Sequence, residues 1–257
     1  MQIDLASFIA FERAAIHYRL PPPPGHPGLE TRPGDVPILF SAPHACRHRR
    51  AGRWKNEDEY TGAIAEGLHR LTGAHAIFTT FESNPDPHDD DDHNFFKQSL
   101  AAFVRQHPTR LIVDLHGVKG TRPFGIGLGS MKGLTAPGYE PAVISAFEQM
   151  GFSCQMGLHE TDHLAINHPR YTGGLKRPTV TRFAYQVLGI PAVQIEINAW
   201  ARVLQRLPSS SNARQQHAPG FKGEHTLFRR MIEAFSLLVA EVSAREYRQK
   251  RPSADRS

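Results

Sequence analysis

Three apolar runs of this chain end in side chains that could do chemistry. VPILFSA (Val36 to Ala42) delivers Pro43-His44, RLIVDLHG delivers Asp114-Leu115-His116-Gly117, and IPAVQIEINA carries Gln194-Ile195-Glu196-Ile197-Asn198. Each run is short, apolar and bounded by turn residues, so each reads as a buried strand. In open α/β sheets, ligands bind beyond the carboxyl ends of the strands. Two imidazoles and a carboxylate are therefore expected at one sheet edge. A catalytic zinc site takes three His or carboxylate ligands and leaves a fourth position for water. His44 and His116 supply two. The acidic stretch Glu57-Asp58-Glu59 should supply the third, with Glu57 the first choice and Asp58 the reserve. One zinc ion (Zn2+) per chain would bring a water's pKa from ~15.7 to about 7 and polarise a carbonyl. Glu196 could then take the water's proton and pass it to a leaving nitrogen.

Each of these residues has a plainer reading. Glu196 lies inside a strongly apolar strand, where an ion-pair partner would also justify burying it. Asp114 is either an acceptor that fixes a histidine tautomer or a cap on the following turn. The run His88-Asp-Asp-Asp-Asp-His93 reads as a solvated loop rather than a metal site. GIGLGSMKG lacks the Gly-Lys-Ser/Thr ending of a phosphate loop. There is no G-x-S-x-G elbow, and Cys46 and Cys154 have no motif support as nucleophiles. Two cysteines make no disulfide framework, which points to a reducing, cytoplasmic setting.

The elements that must position these residues alternate along the chain. An amphipathic helix with Leu5, Phe8, Ile9 and Ile16 inward ends at the stiff connector Pro21 to Gly28. After the first strand comes a helix with Ala63, Ile64, Leu68 and Leu71 on one face and acidic residues in its first turn. AIFTTF (Ala76 to Phe81) reads as a strand, Asn94 as a helix cap, FGIGLG as a strand and Pro141 to Met150 as a short helix. Residues 203–223 read as an exposed loop. Leu227, Met231, Phe235, Leu238 and Val242 mark a long final helix. Strands alternating with helices predict an α/β fold with a mixed, largely parallel central sheet flanked by helices on both faces.

With 257 residues, 40% of them hydrophobic, the chain fits a single catalytic domain. Residues 1–35 would form a helical arm and Pro-rich connector, and residues 245–257 a basic tail. No apolar run approaches the roughly 20 residues that span a bilayer, and the first residues make a poor secretion signal. The net charge of +5 is concentrated in Arg47 to Lys55 and in the tail. A nucleic-acid surface would want such charge along one face, interleaved with aromatics; the tail reads instead as a frayed helix end, where cations suit the dipole, so no nucleic-acid partner is expected.

SAPHACRHRR, EDEYTGAIAEGL, LIVDLHG, YTGGLKRPTVTRF and AVQIEIN, in that order, resemble the N-formylglutamate amidohydrolase family over residues 38 to 200. The resemblance implies a zinc-carboxypeptidase-like fold and hydrolysis of the formamide of N-formyl-glutamate. It implies zinc ligands His44, His116 and a carboxylate near Glu57, with Glu196 as general base. Gly173-Gly174 and Arg182 match the family's Gly-Gly…Thr-Arg segment bordering the substrate, where an arginine could clamp a carboxylate. The chain departs from the family in NPDPHDDDDHNFF, which lacks an arginine that many members carry after the second strand. Arg47 and Arg49 could take over its part. Gly174, Arg182, Arg47 and Asn198 make up the expected substrate-binding set. The expected partner is a small-molecule N-acyl amino acid. Alternatives are a carboxypeptidase-like peptidase and a non-catalytic binding protein of the same fold.

Overall fold

The structure, a computed structural model, describes residues 3–88, 94–155, 159–214 and 221–250. Helix α1 (Leu5–Ala15) opens where Asp4 accepts from the backbone N–H of Ala6. Then come β1 (Leu29–Arg32), β2 (Val36–Ala42), the hairpin β3 (His48–Arg50) and β4 (Arg53–Lys55), α2 (Thr61–Thr72) and β5 (Ala74–Thr79). The middle of the chain forms α3 (Phe95–Gln106), β6 (Leu111–Val118), β7 (Ile126–Gly129), α4 (Glu140–Gln149) and β8 (Leu164–Ile166). Last come α5 (Val180–Gln186), β9 (Ala192–Asn198), the single turn α6 (Ala199–Arg202) and α7 (His225–Lys250).

Seven strands form one sheet in the order β1-β5-β2-β6-β9-β7-β8. Strands β5, β2, β6 and β9 run parallel. β1 is antiparallel to β5 and β7 to β9, while β8 runs parallel to β7. This is the mixed, mostly parallel sheet that the sequence predicts. Asn94 caps α3 as expected, accepting from the N–H groups of Phe96 and Lys97. β1, the β3–β4 hairpin, β8 and α5 were not expected; each is short, and the hairpin strands hold one buried histidine among arginines, a lysine and an exposed tryptophan. Such segments carry no periodic apolar signal. Helix α2 starts at Thr61, so the acidic residues precede it instead of filling its first turn. Tyr60, at φ 66, turns the chain left-handed just before the helix. The stretch from residue 203 is less exposed than expected, with Val203, Leu204, Leu207 and Ser210 buried. Helix α7 continues through the start of the basic tail to Lys250, and residues 251–257 lie outside the described residues. No helix among the described residues is long and apolar enough to cross a membrane.

Strand side chains alternate between the two faces of the sheet, and this alternation creates the site. Ile38, Phe40, Val113, Leu115, Val193 and Ile195 face one way, into a large core with α1, α2, α4 and α7. Leu39, Ile77 and Ile112 face the other way, under α3 and α5. Further along that second face the same parity brings Ser41, Asp114, His116, Gln194 and Glu196. All of these are buried and polar. The register fixes their neighbours: Ser41 lies opposite Asp114, Asp114 opposite Gln194, and His116 opposite Glu196. Helices cover the apolar part of this face, and the cleft opens where the polar part begins.

Candidate functional site

His44 sits two residues beyond β2, His116 near the end of β6 and Glu196 in β9. The Nδ1 atoms of both histidines face one carboxylate, that of Asp58. Its Oδ2 lies 3.3 Å from Nδ1 of His116 and 3.8 Å from Nδ1 of His44. Donors about 2.0 Å from a tetrahedral ion are roughly 3.3 Å apart; the Asp58–His116 separation matches that spacing and the Asp58–His44 separation is longer. The opposite ring nitrogens have carboxylates of their own. Nε2 of His44 lies 2.8 Å from Asp86 Oδ1, and Nε2 of His116 lies 3.2 Å from Asp114 Oδ2. A ligating histidine usually donates its other N–H to such a carboxylate, which fixes the tautomer and raises ligand basicity. Asp114 is held in turn by the hydroxyls of Ser41 and Thr181, each at 3.1 Å.

The lead-in to α2 decides which acidic residue takes part. Glu57 turns away from the histidines and accepts from Ser210 Oγ at 2.8 Å and Ser211 N–H at 2.6 Å. Glu59 also turns away, to the Arg206 guanidinium at 2.9 Å. Asp58 alone of the three points into the cleft, while its backbone N–H donates to the His44 carbonyl at 2.8 Å. The first-choice carboxylate, Glu57, therefore does not face the histidines, and the reserve, Asp58, does. Consecutive side chains of a non-helical segment diverge, and the first and third anchor the 202–212 stretch. Arg202 ties this lead-in to β9, donating to the Glu59 carbonyl at 2.7 Å and the Ile197 carbonyl at 3.1 Å. Gly117 makes room for it, since a Cβ there would lie 2.5 Å from the guanidinium carbon.

The electrostatics divide the cluster. Burial raises the Glu196 carboxyl to about 7; Asp58 and Asp114 add to the rise, while His116 and the Gln194 amide oppose it. For Asp58, burial is outweighed by the His116 hydrogen bond and by the charges of His116, His44 and Arg202, which bring it down to about 2. Burial disfavours the His116 cation, yet Asp114, Asp58 and Glu196 raise it well above its usual value. Burial, His48 and His88 push His44 well below the usual value. A carboxyl that changes charge near neutrality thus stands beside one that stays ionised, as acid–base chemistry requires.

The other expected substrate residues are placed unevenly. Gly174 lines the cleft, at φ 133. Arg182 lies on α5 outside the cleft lining, with Nε donating to Gln186 at 2.8 Å. Arg47 is committed to Glu82 and lies over the Trp54 ring. Asn198 accepts from the Trp200 N–H and donates to the Phe124 carbonyl at 2.8 Å, so it caps α6 instead of facing the cleft. These three therefore serve local structure, because nearer partners satisfy them.

Sequence reasoning missed His48, Asp86 and His88. All three are buried. His88 Nε2 approaches His116 Nε2 at 3.1 Å, so the first residue of the run read as a solvated loop belongs to the cluster. Residues Asp89 to His93 lie outside the described residues. One signal was available: Asp86-Pro87-His88 repeats the spacing of Asp114-Leu115-His116. Among the described residues, two groups of donors lie close enough together to hold an ion, His44-His88-His116 and His44-His48-Asp86. Around the first, Nε2 of His44 and Nε2 of His116 already face Asp86 and Asp114. In the second, Arg50 already supplies a cation to Asp86. The Asp58 set leaves both carboxylate–histidine contacts intact.

No protein-family model and no curated protein matches the chain. Among solved structures it is similar to N-formylglutamate amidohydrolase from Ralstonia eutropha JMP134, at 14% identity and a TM-score of 0.52. That match covers 85% of this chain and 99% of the other. A bacteriophage poly-gamma-glutamate hydrolase is a looser likeness, at 12% identity and a TM-score of 0.47, covering 86% and 90%. The first likeness concerns the fold. At that level it bears out the resemblance carried by the five motifs.

Proposed function

We propose that this protein is a zinc-dependent amidohydrolase that cleaves the amide of a small, anionic N-acyl amino acid, using one ion per chain. His44 Nδ1, Asp58 Oδ2 and His116 Nδ1 would hold the ion. Once bound, it supplies a Lewis acid that polarises a carbonyl and acidifies water. Asp86 and Asp114 keep the two imidazoles oriented for it. Glu196 accepts the proton of the attacking water and returns it to the leaving nitrogen. The Gln194 amide, 2.6 Å from Glu196 Oε1, holds that carboxylate in place. Gly174 borders the substrate, whose carboxylate is received by cations of the cleft lining, since Arg182 and Arg47 stand outside it.

One observation carries this reading: the Asp58 carboxylate faces Nδ1 of both His44 and His116, beside a buried glutamate raised to about 7. The test is elemental analysis of the purified protein, followed by a screen of N-formyl and N-acetyl amino acids. Stoichiometric zinc that disappears together with turnover in His116→Ala supports the proposal. Turnover indifferent to chelators would overturn it. The same screen extended to peptides separates it from C-terminal peptide trimming, and a silent binding protein would hold no stoichiometric zinc.

A further inference from the structure

We infer that the substrate carries carboxylate groups on both sides of the scissile amide: a diacid acyl group joined to an anionic amino acid. The inference rests on the hydrolase reading above and narrows it. The cleft of about 220 Å³ is lined by five cationic side chains, Arg50, Lys55, Arg170, Lys176 and Arg177. Among the described residues its acidic linings are Asp58 and Glu196, both committed to the centre. Arg50 is paired with Asp86. The other four form no ion pair with any described residue.

The cations come from opposite sides of the sheet. Arg50 and Lys55 belong to the β3–β4 hairpin, which is bridged to Ser83, just past β5. Arg170, Lys176 and Arg177 belong to the segment after β8 that packs on the end of β7. There the Met131 N–H donates to the Thr172 carbonyl at 2.7 Å, and a Cβ on Gly129 would lie 2.5 Å from the Gly173 nitrogen. Strands β6 and β9 lie between β2 and β7 in the sheet. His116 and Glu196 are on those two central strands, so an amide placed over them has unpaired cations on either hand. A formyl or acetyl group would leave one flank facing an uncharged end. Cations within a Debye length of ~8 Å attract a carboxylate even at physiological salt, and Arg and Lys are its usual receivers.

The experiment compares N-acetyl-glutamate with N-succinyl-glutamate on the metal-loaded full chain, by kcat/KM and by calorimetric binding to Glu196→Gln. The expected result is at least about ten-fold preference for the succinyl compound in both measurements. Of Lys55→Gln and the double variant Lys176→Gln/Arg177→Gln, the one on the acyl flank should remove most of it while sparing the acetyl compound. The other should weaken both compounds and leave the preference, because each acts on a different flank. Equal handling of the two compounds, or identical effects of the two variants on both, would overturn the inference. Tight succinyl binding with no turnover of any amide would instead sink the hydrolase reading and leave the two-flank preference standing. Hydrolysis of both compounds at the same rate does the reverse.

Discussion

Two buried glutamates make an instructive pair. Glu12, on the buried side of α1, and Glu196, in β9, are both pushed up to about 7, and burial is the leading cause for each. Glu12 is sealed: Oε1 accepts from the Tyr18 hydroxyl at 2.5 Å and from the Tyr60 N–H, and nothing reaches it from solvent. Glu196 opens onto the cleft beside His116. A perturbed pKa therefore does not mark a site on its own. What separates the two is access and company. Only Glu196 is reachable, and only it stands next to donors that could hold an ion. The regions are joined by one short stretch, since Tyr60 binds Glu12 while Asp58, two residues earlier, faces the histidines.

The sharpest way to break this contrast is at Asp58. Asp58→Asn should abolish stoichiometric zinc and turnover together, measured by elemental analysis and amide hydrolysis. Glu57→Gln should keep the zinc and lose about 1–3 kcal/mol of folding stability, because its partners Ser210 and Ser211 are buried or half-buried. If the two variants exchanged outcomes, the assignment of the third ligand would be wrong. Glu196→Gln comes next: the zinc should remain while kcat falls ~10²–10⁴-fold. Full retention of kcat would remove Glu196 from the chemistry.

Smaller effects probe the surroundings. Asp114→Asn keeps all three donors but loses the acceptor at His116 Nε2, and should weaken zinc affinity about 10–100-fold in a competition titration with a chelator. Glu12 gives a stability effect with a defined sign. Its pKa rises from 4.5 in the unfolded chain to about 7 in the folded one, so between those values the folded state holds a proton that the unfolded state has released. Stability therefore falls as pH rises through that window and stays lower above it. Glu12→Gln should flatten the curve by up to about 3 kcal/mol between pH 4.5 and 7, read from urea unfolding of the metal-free chain. A variant curve parallel to wild type would show that Glu12 does not titrate there.

Much of the fold was legible because burial writes itself into local sequence. The runs around Phe40, Val113 and Ile195 are apolar on both faces, as strands covered by helices must be. Asn94 advertised its cap, and the order of strands and helices predicted the sheet. His44, His116 and Glu196 could be picked out because each interrupts or ends such a run. His88 was obscured, since it follows Pro85 and Pro87 in a segment without periodicity and beside four aspartates, and only the Asp-x-His spacing shared with Asp114-Leu115-His116 marked it. Arg182 and Arg47 looked like carboxylate clamps until Gln186 and Glu82 proved to be nearer partners.

Strand parity sends Asp114, His116, Gln194 and Glu196 to one face, and that alternation is written in the order of residues. Which of Glu57, Asp58 and Glu59 meets the histidines is set instead by contacts between distant segments. The three are chemically similar neighbours, and the choice depends on where Ser210 and Arg206 lie, about 150 residues further along the chain. Long-range packing selects among local equals, and no local pattern records its choice.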